Sequence, residues 1–165
     1  MKTTYKNVLV AVPPPAHEWY ALSSDALRKA AATLSLVPGV HLTFMSVYSA
    51  METVGDGEVN LLPPEVLREL NETRENQLKE SVAAYVKWFT DNGISCEVVI
   101  EEGDDPADTV VRVAKRLNAD LILVGYHHDE GLFDLFLPDV AKRVAKHAPC
   151  DVLLIAPKKI QEERR

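Results

Sequence analysis

The chain has 165 residues, of which 47% are hydrophobic, so it can form one domain around one substantial core. Its 18 Lys and Arg against 25 Asp and Glu give a formal net charge of −7, which argues against nucleic acid as the main partner. No apolar run approaches the ~20 residues of a membrane-spanning helix, so no membrane partner is expected.

The N-terminal stretch MKTTYKNVLVAVPPP is interpreted as a first strand, since its apolar segment is short and no small-residue cleavage site follows it. A cytoplasmic location is therefore expected. The two cysteines, Cys96 and Cys150, lack the spacing of metal ligands. We predict both to be reduced, buried and hydrophobic in role.

Five short apolar runs rich in β-branched residues follow one another along the chain. Continuous runs of this length are typical of strands that are buried on both faces, as in parallel sheets. The predicted strands are NVLVAV (7–12), HLTFMSV (41–47), CEVVI (96–100), DLILVG (120–125) and DVLLIA (151–156).

Four helical segments separate these runs. Ser23 or Ser24 is predicted to cap the first helix. The third helix has the clearest start, with Asp105 as its N-cap, Pro106 in its first position and Asp108 in its first turn. The order of elements is therefore β-α-β-α-β-α-β-α-β.

Each helical segment has one apolar face at the helical period. The second helix is predicted to begin near residue 63 and end near Asp91, and the fourth to follow Pro138 or Asp139. The predicted inward residues are Leu27, Ala31 and Leu34, then Val66, Leu70, Leu78, Val82, Tyr85 and Phe89, then Val110, Ala114 and Leu117, and finally Val140, Val144 and Ala148. No basic patch stands out, and the densest basic run is Lys142, Arg143 and Lys146. Together with His147, these residues lie in the last turns of the fourth helix, where they are expected to suit the negative end of the helix dipole.

Strands that alternate with helices imply right-handed crossovers, and hence a single doubly wound, Rossmann-like α/β sheet of five parallel strands with helices on both faces. In such sheets, ligands bind beyond the carboxyl ends of the strands. The candidate loops are 12–15, 47–50, 100–104 and 125–138.

The chain resembles the universal stress protein family over nearly its whole length, and three stretches carry the resemblance. They are KNVLVAV (6–12), GDDPADTVVRVAKRLNADLILVG (103–125) and VAKRVAKHAPCDVLLI (140–155). The resemblance implies one domain over 1–157 followed by a charged tail over 158–165, and a strand order of 3-2-1-4-5. It also implies a homodimer that pairs through the last strand. The interface residues would be Asp151, Val152, Leu153, Leu154, Ile155 and Ala156.

The family has an ATP-binding branch. After strand four, its members carry a pattern similar to Gly-X-X-Gly, nine residues and then Gly-Ser or Gly-Thr. An Asp at the end of strand one contacts the adenine in that branch. Here Gly125 matches the first glycine, but His128 replaces the second. Pro138 and Asp139 replace the Gly-Ser pair, and Pro13 replaces the adenine-contacting Asp. GYHHD (125–129) is instead similar to the branch that lacks the glycine motif.

These departures remove what a phosphate cradle needs. Backbone N–H groups must turn inward at residues that permit close approach, whereas Pro138 has no N–H and His128 adds a side chain. Asp129, Glu130, Asp134 and Asp139 add negative charge, with no Lys or Arg between Tyr126 and Ala141. We therefore expect no cofactor, and ATP binding through a variant loop is the alternative. In that case the site would be lined by Pro13, Val47, Gly125, His128, Gly131, Pro138, Asp139 and Val140.

Other features of the sequence leave alternatives open. His127 and His128 beside two acids favour a solvated loop over a metal site, because adjacent histidines point in different directions. No nucleophile motif is present, so no catalytic residue is predicted, and a hydrolase or metal-dependent enzyme on the same fold is a third reading. Trp19 and Tyr20 are interpreted as a lid over the cleft. An apolar patch in the acidic loop either packs internally or binds a protein partner; it consists of Phe133, Leu135, Phe136 and Leu137.

Overall fold

The computed structural model describes residues 4–15, 20–50, 62–126 and 140–156. The elements are β1 (Asn7–Ala11), α1 (Tyr20–Ser35), β2 (His41–Tyr48), α2 (Pro64–Asp91), β3 (Cys96–Glu102), α3 (Pro106–Arg116), β4 (Leu121–Gly125), α4 (Val140–His147) and β5 (Asp151–Ile155). All five predicted strands are therefore confirmed. Within the described ranges, none of the helices has both the length and the apolar character that crossing a membrane requires.

The five strands form one parallel sheet in the order β3-β2-β1-β4-β5. The doubly wound sheet and its order of 3-2-1-4-5 are thus confirmed. Central strand β1 sets the register, since Ala11 lies level with Met45 of β2 and with Val124 of β4. The chain reverses its direction of strand addition between β1 and β4, which is where ligands bind in sheets of this kind.

The core has two layers, one on each face of the sheet. On one face, α1 and α2 cover the ring of Phe44, whose centroid lies 5.8 Å from that of Tyr85 and 4.9 Å from that of Phe89. On the other face, Val113 of α3 and Val144 of α4 are fully buried. The helices therefore cover both faces, as the alternation of elements predicts.

The inward face of α2 differs from the prediction in its first two turns. Val66 and Leu70 are 37% and 38% exposed, whereas Leu67 is buried. The reason is helical phase: at about 3.6 residues per turn, counting back roughly three turns from buried Leu78 reaches Leu67. The remaining predicted inward residues of α2 are buried, namely Leu78, Val82, Tyr85 and Phe89.

Ser23 and Ser24 do not cap α1. The helix already begins at Tyr20, and both serines lie inside it and are buried. The Ser24 hydroxyl donates to the carbonyl of Ala21 at 3.4 Å, a bond that a serine makes within a helix and not at its N-cap.

Helix α4 also meets the core differently. Ala141 and Val144 are buried on one face three residues apart, while Val140, one position round the helix, is 36% exposed. The prediction for Val140 is therefore wrong. The other predicted inward residues of α1, α3 and α4 are buried or packed against the core, namely Leu27, Ala31, Leu34, Val110, Ala114, Leu117, Val144 and Ala148.

The apolar runs predict that every strand is buried on both faces. For the two outer strands, β3 and β5, this prediction is wrong. On β3, Val98 is 39% exposed, and on β5, Leu153 and Leu154 are 42% and 41% exposed. An outer strand has a neighbour on one side only, so its side chains lack cover at the sheet edge.

Cys96 and Cys150 are free thiols, as predicted, but each is only partly buried. Burial is the main cause that raises the pKa of both thiols, and Asp120 and Asp151 raise that of Cys150 further. Both side chains therefore remain protonated at neutral pH, which removes the reactive thiolate.

Candidate functional site

The carboxyl ends of β1, β2 and β4 meet at one edge of the sheet. The amide of Val12 donates to the carbonyl of Met45 at 2.8 Å, so the β1–β2 ladder continues beyond Ala11. Continuing the register by two residues places Pro13 level with Val47, and Gly125 lies one residue behind. Three of the predicted site residues thus share this edge, and Val140 begins the helix that follows the β4 loop. His128, Gly131, Pro138 and Asp139 lie outside the described residues.

Two conditions often require a glycine, a positive φ and a lack of space for a Cβ atom, and neither holds at Gly125. Its φ lies outside the left-handed region, and an added Cβ would meet its nearest neighbour, Ser23 Oγ, at 3.4 Å, which is an ordinary contact. The packing around Gly125 would therefore accept an alanine.

The serines near this edge take structural roles. Ser46 is buried, and its hydroxyl donates to the carbonyl of Val12 at 2.9 Å. This bond attaches the segment that follows β1 to strand β2. The hydroxyl of Ser49 donates to Asp104 Oδ1 at 3.2 Å across the neighbouring loop. Neither hydroxyl bonds to a histidine among the residues that the structure describes, and histidine is the base that usually activates a serine nucleophile.

Asp105 links the first turn of α3 to α4. Its Oδ1 accepts from the amides of Ala107 at 3.0 Å and Asp108 at 3.2 Å, which confirms the predicted N-cap of α3. Its Oδ2 accepts from the guanidinium of Arg143 at 2.7 Å, and the same guanidinium donates to Asp108 Oδ1 at 3.3 Å. The prediction that Arg143 serves the negative end of the α4 dipole is therefore wrong. In the eight residues of α4, Arg143 precedes the last turn and binds the first turn of α3.

This pairing makes the stability of the fold depend on pH. The Arg143 hydrogen bond, with help from the amide of Asp108, lowers the pKa of Asp105 below its ordinary value of about 3.9. A lowered folded-state pKa contributes stability above the unfolded-state pKa, and that stability is lost as the pH falls through the folded-state pKa. We expect Arg143→Gln to be less stable than wild type at pH 7, with the difference shrinking below about pH 4.

Urea unfolding at a series of pH values measures this difference. Lys142→Gln removes the neighbouring positive charge without touching Asp105 and is the matched control. A stability difference for Arg143→Gln that is unchanged by pH would contradict the assigned ion pair.

A second polar group ties α2 to the end of β2. The hydroxyl of Tyr48 donates to Glu75 Oε2 at 3.2 Å, and Glu75 Oε1 lies 2.6 Å from Lys79 Nζ. Burial, followed by the bond to Glu75, raises the pKa of Tyr48 to about 12. Tyr48 is therefore a donor at every physiological pH. No sequence motif marks this contact, because its partners lie 27 residues apart.

In the described ranges, no three His, Cys, Asp or Glu side chains are grouped so that they could hold a metal ion. The histidine pair at 127–128 and the apolar patch at 133–137 lie outside those ranges, as does Trp19. The predictions for a solvated histidine loop, a lid and a partner surface stay predictions.

The model of the universal stress protein family matches residues 4–156. A universal stress protein of Synechocystis is 27% identical over 99 residues, which span 60% of this chain and 64% of that relative. The chain thus aligns with slightly less than two thirds of that relative's length.

Solved structures share the fold. The universal stress protein UspA of Lactobacillus plantarum superposes with a TM-score of 0.67 at 20% identity, covering 93% of this chain and 99% of that one. A universal stress family protein of Arabidopsis thaliana, solved with AMP bound, gives a TM-score of 0.56 at 22% identity, covering 94% of each chain. At these identities the likeness establishes the fold alone.

Proposed function

The chain belongs to the universal stress protein family, and from that premise we propose that it is a cytoplasmic, non-catalytic stress-response protein that acts through protein contacts and does not bind ATP. The non-catalytic part is supported by the structural bonds of Ser46 and Ser49 and by the raised pKa of both cysteines. These groups are engaged or protonated, and none is poised as a nucleophile.

The pairing of Arg143 is the observation that carries the proposal against ATP. Arg143 of α4 already binds Asp105 and Asp108, so its guanidinium is not available to a triphosphate that lies beside the helix. The β4 loop adds four carboxylates and places Pro138 and Asp139 where the ATP-binding branch has Gly-Ser. Like charges about 5 Å apart cost roughly 3 kcal/mol at an effective dielectric near 20, so two such contacts would offset most of the ~8 kcal/mol of micromolar binding.

A nucleotide-dependent switch is the second candidate function. It is favoured by the AMP-bound Arabidopsis relative of the same fold and by Gly125, the one position of this chain's β4 loop that matches the first glycine of the binding pattern. On this alternative, nucleotide would bind at the sheet edge formed by Pro13, Val47 and Gly125.

A thermal-shift titration with Mg-ATP and with Mg-AMP separates the two functions. We expect the melting temperature to change by less than about 1 °C up to millimolar nucleotide, because a ligand at 100 times its Kd would stabilise the fold by ~2.7 kcal/mol and shift it by several degrees. Gly125→Ala is the matched control, since its methyl group would occupy the space beside the backbone that a nucleotide would approach, while it fits its own surroundings. A saturable shift in wild type that disappears in Gly125→Ala would overturn the proposal in favour of the switch.

We also propose that the protein is a homodimer that pairs through β5. The two edges of the sheet differ in chemistry: β3 carries Glu97, Glu101 and Glu102, whereas the only charge of β5 is Asp151. Charged residues on an edge strand prevent pairing with another chain, and exposed apolar residues invite it. Strand β5 exposes an apolar side chain on each of its faces, since Leu153 is 42% exposed and Leu154 is 41% exposed.

A further inference from the structure

Helices α3 and α4 pack side by side, and the surface that carries their Lys and Arg residues is called the α3–α4 face. These residues are Arg112, Lys115, Arg116, Lys142, Arg143 and Lys146. Both helices pack on the same side of the sheet, and the bond from Arg143 to Asp105 holds their first turns together. The two helices contain six Lys or Arg and one Asp, a formal charge of +5 in a chain of −7, so the rest of the chain carries −12. No single basic run stands out in the sequence, whereas the packing of α3 on α4 brings together two basic segments that lie far apart in the sequence.

The arginines of this face are already engaged. Glu101 accepts from Arg112 at 2.8 Å and from both terminal nitrogens of Arg116, at 3.0 and 2.9 Å. Arg143 is held by α3 in the same way. Planar guanidinium groups with carboxylate partners are not available for the two-pronged binding of phosphate.

The lysines are not engaged in this way. Lys115, Lys142 and Lys146 are exposed, and within the described part of the chain no carboxylate pairs with any of them. The Nζ of Lys142 lies 5.8 Å from the centroid of the Tyr126 ring. Among the residues that the structure describes, the α3–α4 face therefore has three exposed ammonium groups without a carboxylate partner.

We propose that this α3–α4 face binds an acidic segment of a partner protein. Three spaced lysines fit a string of carboxylates, each of which accepts from one ammonium group without a fixed geometry. The charge of −12 on the rest of the chain repels a long polyanion that extends beyond the face, which disfavours nucleic acid relative to a short acidic segment. The inference rests on the proposed action through protein contacts and gives it a partner chemistry.

Fluorescence anisotropy with a labelled peptide of alternating glutamate and glycine tests the proposal. The triple variant Lys115→Glu, Lys142→Glu and Lys146→Glu is expected to bind the peptide at least about tenfold more weakly than wild type. Wild-type binding is also expected to weaken as NaCl rises from about 50 to about 300 mM, because these charges are exposed and screened.

The control variant reverses three exposed charges on α1 and α2, Lys29→Glu, Arg68→Glu and Lys87→Glu, and so changes the net charge by the same amount. It should retain peptide affinity within about twofold, since it leaves the α3–α4 face intact. A triple lysine-to-glutamine variant of the face guards against misfolding of the charge-reversed protein and should also lose affinity.

Equal losses in the face and control variants, or no measurable binding by wild type at low salt, would overturn the proposal. A DNA duplex that binds wild type more tightly than the peptide under the same conditions would also overturn it, in favour of a nucleic-acid partner. None of these results depends on whether the protein binds ATP, so failure here is distinct from failure of the nucleotide proposal.

Discussion

Replacing Leu154 with glutamate should convert the proposed β5-paired dimer into a monomer. Leu154 is 41% exposed on the outer strand β5, and pairing of this strand with a second copy would bury it. Pairing would therefore bury the introduced carboxylate, and burying an unpaired charge is strongly unfavourable. We expect the dimer dissociation constant to rise at least about a hundredfold, which corresponds to roughly 2.7 kcal/mol. Sedimentation velocity over a micromolar concentration series measures the change.

Val98→Glu is the matched control for this experiment, because Val98 is 39% exposed on β3, the other outer strand. It should leave the association state unchanged. Each variant should unfold near the wild-type urea midpoint when monomeric, since substitution of a partly exposed edge residue costs little on its own. A wild-type monomer at micromolar concentration, or equal dissociation by both variants, would contradict pairing through β5.

The strands and the α3 start could be predicted because their signals are local. Strands buried in a parallel sheet are typically continuous apolar runs, as β1 and β4 are after Asn7 and from Leu121, and β2 is mostly apolar. The side chain of Asp105 reaches only two or three residues ahead to cap α3, so its partners are adjacent in sequence. Parallel pairing then places the ends of β1, β2 and β4 at one edge, which locates the candidate site before any contact is known.

The contacts that the sequence does not predict depend on distances between elements. The partner of Arg143 is 38 residues away, and the choice between Asp105 and the end of its own helix is decided by how α4 packs on α3. The face of α2 is a matter of phase, since a small error in the helical period exchanges Leu67 for Val66 over three turns. The α3–α4 face could not be predicted for the same reason, because the sequence of one helix does not show that the other helix packs beside it.

Gly103→Ala should destabilise the fold by about 1–3 kcal/mol, the usual effect of forcing an extra methyl group into a packed site. Gly103 follows β3, and its amide donates to the carbonyl of Tyr48 at 2.9 Å, so its backbone cannot easily move. An added Cβ would lie 2.0 Å from Thr109 Oγ1 and 3.1 Å from Thr109 Cβ. Thr109 is itself held, because it is buried and its hydroxyl donates to the carbonyl of Asp105 at 2.7 Å. Urea unfolding of the variant measures the loss.

The close approach of α3 to Gly103 makes a specific prediction for the double variant. Thr109→Ala removes Oγ1, the atom nearest to the added methyl group, and leaves the Cβ contact at 3.1 Å, so Gly103→Ala should cost less in that background. We expect a coupling free energy of at least about 1 kcal/mol, as for side chains in direct contact. Gly125→Ala is the control, with a nearest contact of 3.4 Å and an expected effect within about 0.5 kcal/mol. If the two alanines at 103 and 125 had the same effect, Gly103 would not be the residue that lets α3 approach the sheet, and the position of Asp105 at the candidate site would need another cause.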